Sequence, residues 1–169
     1  MMGIAGMTCE MLNELPDYGV KSPWFNLPAG QEHYRLLRYL GHHFERCGDI
    51  GTYQGYSALA LSEGCKNVIS WDVRNNELFH GETSIDFRIG DCTKDPDLLK
   101  CDLIVLDVDH SGKFEKRLID HLLLMDWHGT IIADDIYLPT LRPWWDSLQA
   151  EKYDITHIGH YTGTGLIYL

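Results

Sequence analysis

The chain has 169 residues, enough for one domain that buries roughly 70% of its unfolded surface. Hydrophobic residues make up 44% and charged residues 23%, ordinary proportions for a soluble globular protein. A net charge of -11 disfavours a broad basic face for nucleic-acid phosphates. No run of about 18 apolar residues occurs, so no membrane span is expected, and the start lacks the basic n-region of a signal peptide. The five cysteines, Cys9, Cys47, Cys65, Cys92 and Cys101, show no C-x-x-C spacing. Reduced thiols in a cytoplasmic protein are the simplest account of them.

Residues 1–30 hold Pro16, Pro23, Pro28 and several glycines, the mark of an irregular N-terminal cover segment, with Trp24 and Phe25 as a packing anchor. Residues 31–169 read as a single domain. Tyr34, Leu37, Leu40 and Phe44 recur at helical spacing and predict a helix over 31–44. The run C-G-D-I-G (47–51) is a first strand that feeds a glycine-bearing loop. A helix over 56–65 follows, with Gly64 placed to stop it. N-V-I-S-W-D-V is a second strand ending at Asp72, and a short linker leads to a third, I-D-F-R-I-G-D, ending near Asp91. C-D-L-I-V-L-D-V-D has the near-continuous apolar run of a strand buried on both faces. Phe114, Leu118, Leu122 and Met125 form one helical stripe. G-T-I-I-A-D-D is a fifth strand, and 141–152 reads as a helix with Pro143 in its first turn. Residues 153–160 and 165–169, flanking Y-T-G-T, read as a closing hairpin.

This order predicts an α/β protein with a doubly wound, Rossmann-like sheet of seven strands, the last antiparallel. Ligands of such sheets bind at the carboxyl ends of the strands, beside the point where the strand order reverses. That edge gathers the loop D-I-G-T-Y-Q-G-Y-S (49–57), Asp72, Asp91, the stretch V-L-D-V-D-H (105–110) and A-D-D (133–135). Gly51 lets a ligand approach the main chain, and a carboxylate at Asp72 can accept two hydrogen bonds from a ribose diol. The loop lacks the G-x-G-x-x-G spacing of a dinucleotide fingerprint and has no lysine to grip a phosphate.

With D-I-G-T-Y-Q-G-Y-S, the acidic end of W-D-V-R and G-D-C after strand three, the chain resembles the class I S-adenosylmethionine-dependent methyltransferases over about residues 31–169. The resemblance implies that Asp49, Gly51, Thr52, Tyr53, Gly55 and Ser57 surround the methionine part of the cofactor. It implies that Asp72 holds the ribose and that Asp91 or the backbone of Cys92 meets the adenine. V-L-D-V-D-H and A-D-D further resemble the metal-ligand stretches of catechol-type, sugar and polyketide O-methyltransferases. There they imply Mg2+ on Asp107, Asp134 and Asp135, an oxygen-only set suited to a hard cation. Catechol-type enzymes carry a lysine base three residues after the first of these ligands, and this chain has His110 instead. D-x-D-H-S resembles another branch in which that histidine is the base, with Asp107 beside it. A histidine there can also cap a helix or bond Asp109, and strand-end carboxylates can be caps without a metal.

The implied activity is methyl transfer to a hydroxyl of a small-molecule acceptor. Two other readings stay open: a non-catalytic protein that binds the nucleoside cofactor, and a nicotinamide-dependent oxidoreductase. His42, His43, His157 and His160 read as structural or surface residues, and Trp144 and Trp145 as packing residues. The tryptophan pair and the edge of the hairpin are compatible with a homodimer.

Overall fold

The computed structural model describes residues 3–17, 19, 23–74 and 84–169. The linker expected after the second strand falls largely outside them. Twelve elements follow in chain order: α1 (Cys9–Asn13), α2 (Tyr34–Gly41), β1 (Cys47–Ile50), α3 (Tyr56–Ser62), β2 (Val68–Asp72), β3 (Ile85–Ile89), β4 (Leu103–Leu106), α4 (Lys113–Leu124), β5 (Thr130–Asp134), α5 (Arg142–Ser147), β6 (Glu151–Asp154) and β7 (Thr164–Tyr168). The strands form one sheet in the order β3-β2-β1-β4-β5-β7-β6. β1 to β5 are parallel, β7 runs antiparallel to β5, and β6 runs antiparallel to β7. The sheet is the expected doubly wound one, with its reversal between β1 and β4.

Strand burial explains the near-continuous apolar runs. In β4 the side chains of Leu103 and Val105 join one core layer, and those of Ile104 and Leu106 join the other, as a period of two dictates. The first layer packs the sheet against α2 and α3 through Leu36, Leu37, Leu40, Ala58 and Leu61. The second packs it against α4 and α5 through Leu118, Leu122, Trp144 and Trp145. Register pairs Ile50 with Trp71 and with Leu106, so the carboxyl ends of β2, β1 and β4 finish level.

Three expectations change. The N-terminal segment contributes Met7, Leu12, Phe25 and Ala29 to the core, not only a cover. Phe25 stacks on Tyr34 with centroids 4.9 Å apart, whereas its neighbour Trp24 is 53% exposed. Two buried arginines on α2 fix this segment: Arg35 donates to the carbonyls of Leu15 (2.8 Å) and Leu27 (3.2 Å), and Arg38 to that of Pro16 (2.8 Å). Next, the helix expected over 141–152 stops at Ser147. Lys152 lies in β6 and reaches back to donate to the Leu148 carbonyl at 2.8 Å, so the basic residue expected inside the helix caps its end. Lastly, the closing hairpin is not a tight one. Asp154 accepts from the Thr156 backbone (3.1 Å) and hydroxyl (2.6 Å), which turns the chain into a short 3-10 helix, Thr156–Ile158, before β7 begins. Among the described residues no helix is long and apolar enough to cross a membrane.

Candidate active site

At the reversal point the level strand ends leave a cleft of about 670 Å³, within the usual size of a small-molecule site. Its walls include Gly51, Tyr53, Asp72, Asp91, Cys92, Asp107, Asp109 and His110, which come from the ends of four strands, β1 to β4.

The first wall is built by backbone. Gly51 has φ 101°, and a Cβ there would overlap the carbonyl oxygen of Asp107, so glycine is required by the chain's own crossing over β4. The N–H groups of Gly51 and Thr52 both donate to the Trp71 carbonyl, at 2.9 and 3.2 Å. Gly55, at φ 81°, precedes α3 and donates to the Thr52 carbonyl. Asp49, Thr52 and Ser57 are buried beneath the loop and are not among the residues lining the cleft, nor is Gly55. Ser70 donates to Asp49 at 2.6 Å and lies 2.5 Å from the Thr52 hydroxyl, while burial holds the Asp49 carboxyl above its ordinary pKa. These residues brace the loop from below, and Gly51 and Tyr53 are the ones that face the cleft.

Asp72 accepts from the Tyr53 N–H at 3.0 Å and the Arg74 N–H at 2.9 Å, which fixes its carboxylate on the cleft wall. Asp91 accepts from the Thr93 N–H (3.1 Å) and hydroxyl (2.8 Å) and pairs with Arg117 at 2.9 Å. Burial works against its charge, but these partners outweigh burial and lower its pKa. Cys92 is buried behind it, and desolvation pushes its thiol up to about 12, so it is inert packing at neutral pH.

The opposite wall is ionisable. His110 sits at φ 54° with Nε2 3.5 Å from Asp107 Oδ1 and 3.4 Å from Asp135 Oδ2. Tyr53, His110 and Asp135 are three of the four non-glycine residues with positive φ among those described, so left-handed backbone gathers at this site. Burial first, then the charge of Asp134, pushes the Asp107 carboxyl up to about 7.

Asp134 lies deeper and faces elsewhere. It is 4% exposed, and its Oδ2 meets two imidazoles, His33 Nδ1 at 3.2 Å and His160 Nδ1 at 3.3 Å. Burial opposes its charge, but the two histidines outweigh burial and hold its pKa well below the ordinary value. In return burial lowers the His33 pKa, and Asp134, Asp107 and Glu32 outweigh that and lift it to about 9. The His160 pKa is also raised: burial and the charge of His33 lower it, and Asp134 and Glu32 outweigh them.

The three carboxylates expected to hold magnesium are therefore neighbours but do not form one oxygen-only set. Asp107 and Asp135 group with His110, and Asp134 groups with His33 and His160. His160, expected to be structural, is part of the site, and His33 was not singled out in the sequence at all. Neither carries a local motif: His33 precedes α2 and His160 precedes β7, and only the closed sheet brings them together.

No protein-family model and no curated protein sequence matches the chain. Solved structures do match its fold, methyltransferases among them. A methyltransferase from Geobacter sulfurreducens is similar with a TM-score of 0.58 and 15% identity, over 80% of this chain and 77% of that one. An O-methyltransferase from Bacillus cereus, solved in complex with S-adenosylhomocysteine, gives 0.54 and 15% over 95% and 87%. The O-methyltransferase TomG from Streptomyces achromogenes, solved in complex with S-adenosylmethionine, gives 0.55 and 16% over 95% and 86%.

Proposed function

We propose that the protein transfers a methyl group from S-adenosylmethionine to a hydroxyl of a small-molecule acceptor. The observation that carries this reading is the cleft itself. One wall offers a tight glycine turn and a fixed strand-end carboxylate at Asp72, and the other offers an imidazole between two carboxylates. The bound cofactor would supply an electrophilic methyl group on a sulfonium.

The chain's own residues do the rest. Asp72 accepts from the ribose hydroxyls, and Gly51 and Tyr53 bring main chain against the methionine part. His110 Nε2 takes the proton of the acceptor hydroxyl as the C–O bond forms, with Asp107 and Asp135 stabilising the imidazolium that results. No step is assigned to magnesium, because Asp134 clusters with two imidazoles and not with Asp107 and Asp135 in one oxygen-only set. The solved structures of like fold that hold S-adenosylmethionine or its demethylated product support the cofactor half of the reading.

The test is incubation with S-adenosylmethionine and a panel of sugar, phenol and polyketide hydroxyl acceptors, with S-adenosylhomocysteine read by mass spectrometry. Acceptor-dependent S-adenosylhomocysteine is the expected result. Cofactor binding with no turnover on any acceptor would favour a binding protein instead. A thermal shift with a nicotinamide cofactor and none with S-adenosylmethionine would favour the oxidoreductase.

A further inference from the structure

The deeper ionisable group is not needed for the proton transfer just described, and its composition is not that of a hard-cation site. His33, Asp134 and His160 come from three separate segments, and one donor atom of each lies within 4.8 Å of the other two. Asp134 and His33 are both more than nine-tenths buried. Asp134 Oδ2 faces both imidazoles, and Asp134 Oδ1, buried to the same degree, has no hydrogen-bond partner among the described residues; nor does Asp135 Oδ1. A buried carboxylate oxygen without a donor is left desolvated and uncompensated, a deficit that a cation at that point would remove.

Two further features favour a cation there. Glu32 Oε1 lies 3.6 Å from His160 Nε2, on the side of the ring away from Asp134. At that distance the carboxylate acts on the ring by charge, and His160 Nδ1, with the Thr162 hydroxyl 2.8 Å away, is the nitrogen on the Asp134 side; carboxylates behind metal-binding histidines are a recurrent arrangement. The local charge also runs one way. Among the described residues, every ion-pair partner of Glu32, Asp107, Asp134 and Asp135 is a histidine, never a lysine or arginine.

We propose that His33, Asp134 and His160 form a binding site for a first-row divalent transition cation, not for magnesium. Imidazole nitrogen suits zinc, iron, cobalt or nickel, whereas magnesium prefers an octahedron of oxygens. Three protein ligands leave coordination positions open to water or to an acceptor oxygen. The site is independent of the methyl-transfer reading, and either can fail without the other.

The test uses the full chain, stripped with chelator and kept free of S-adenosylmethionine, and titrated with Co2+ while the visible ligand-field bands are followed. The expected result is saturation at one equivalent, displacement by Zn2+, and no displacement by a hundredfold excess of Mg2+. His33→Asn and His160→Asn should each weaken Co2+ binding by more than about tenfold, and His110→Asn should leave it unchanged. Absence of bands at millimolar Co2+ would overturn the proposal, as would equal competition by Mg2+ or wild-type affinity in both histidine variants. If a variant fails to fold by circular dichroism, imidazole 15N shifts of the wild-type protein on adding Zn2+ decide the matter. The signals of His33 and His160 must move together, and if they stay still the proposal falls.

Discussion

The two walls of the cleft are built by different means. The wall carrying Gly51, Tyr53 and Asp72 is set by backbone geometry, with positive φ at Gly51, Tyr53 and Gly55 and a carboxylate anchored by two N–H groups. The wall carrying Asp107 and His110, with Asp134 and Asp135 behind it, is set by charge: burial and the surrounding ionisable groups raise the Asp107 pKa and lower that of Asp134. A backbone-built wall holds its shape whatever the pH. A charge-built wall is tuned by whatever proton, cation or hydroxyl it holds, which suits the side where a proton has to move.

The sharpest separation of the two comes from His110→Asn. Asparagine tolerates the left-handed backbone at this position, so folding is preserved. Methyl transfer should fall by about 10²–10⁴-fold with cofactor affinity unchanged, read by steady-state kinetics and calorimetry. Equal loss in both would merge the two walls into one functional unit.

Gly51→Ala attacks the other wall. Its methyl group would collide with the Asp107 carbonyl at φ 101°, and the expected cost is about 3 kcal/mol or more. Thermal unfolding should show it as a drop of roughly 6–12 °C for a domain of this size. A neutral result would mean that the crossing over β4 relaxes freely.

The pH dependence of stability tests the charge-built side. His33 has an ordinary pKa of 6.5 and a folded value of about 9. The folded state thus holds a proton that the unfolded chain has released. The resulting stabilisation is complete below pH 6.5 and is lost as pH rises through about 9. Asp107, raised from 3.8 to about 7, contributes a slope of the same sign at lower pH. Denaturant unfolding of chelator-treated protein should therefore show stability falling from pH 6.5 to 9, on the order of 2 kcal/mol once coupling to Asp134 is discounted. His33→Asn should flatten that fall.

Asp72→Asn has the smallest expected effect. It should weaken S-adenosylhomocysteine by about tenfold, the worth of one hydrogen bond to a charged group, and leave the melting temperature nearly unchanged.

The same contrast decides what could be read from the sequence. The glycine loop, the strand-end Asp72 and the buried runs of β4 and β5 are local signals, each a few residues long, and the structure places them at the expected edge. Asp49, Thr52 and Ser57 were legible as members of the loop, but not as its underside, because burial beneath a turn leaves no mark on spacing. The carboxylates of A-D-D were legible as a pair, but not for their partners: Asp135 at φ 62° reaches His110, Asp134 reaches His33, and both lie within ion-pair distance of His160. Those last two histidines meet only after the start of α2 and the loop before β7 have closed on the sheet. A lone histidine before a helix or in a loop gives no sign of such a meeting. The helix expected over 141–152 failed for a related reason, since pairing with β7 overrode local propensity.

The central claim is that the cleft receives the nucleoside cofactor, and isothermal titration with S-adenosylhomocysteine tests it most directly. The account predicts one site per chain, binding well below millimolar, and weakening by Asp72→Asn. No heat of binding and no thermal shift at millimolar ligand, in a folded protein, would contradict it.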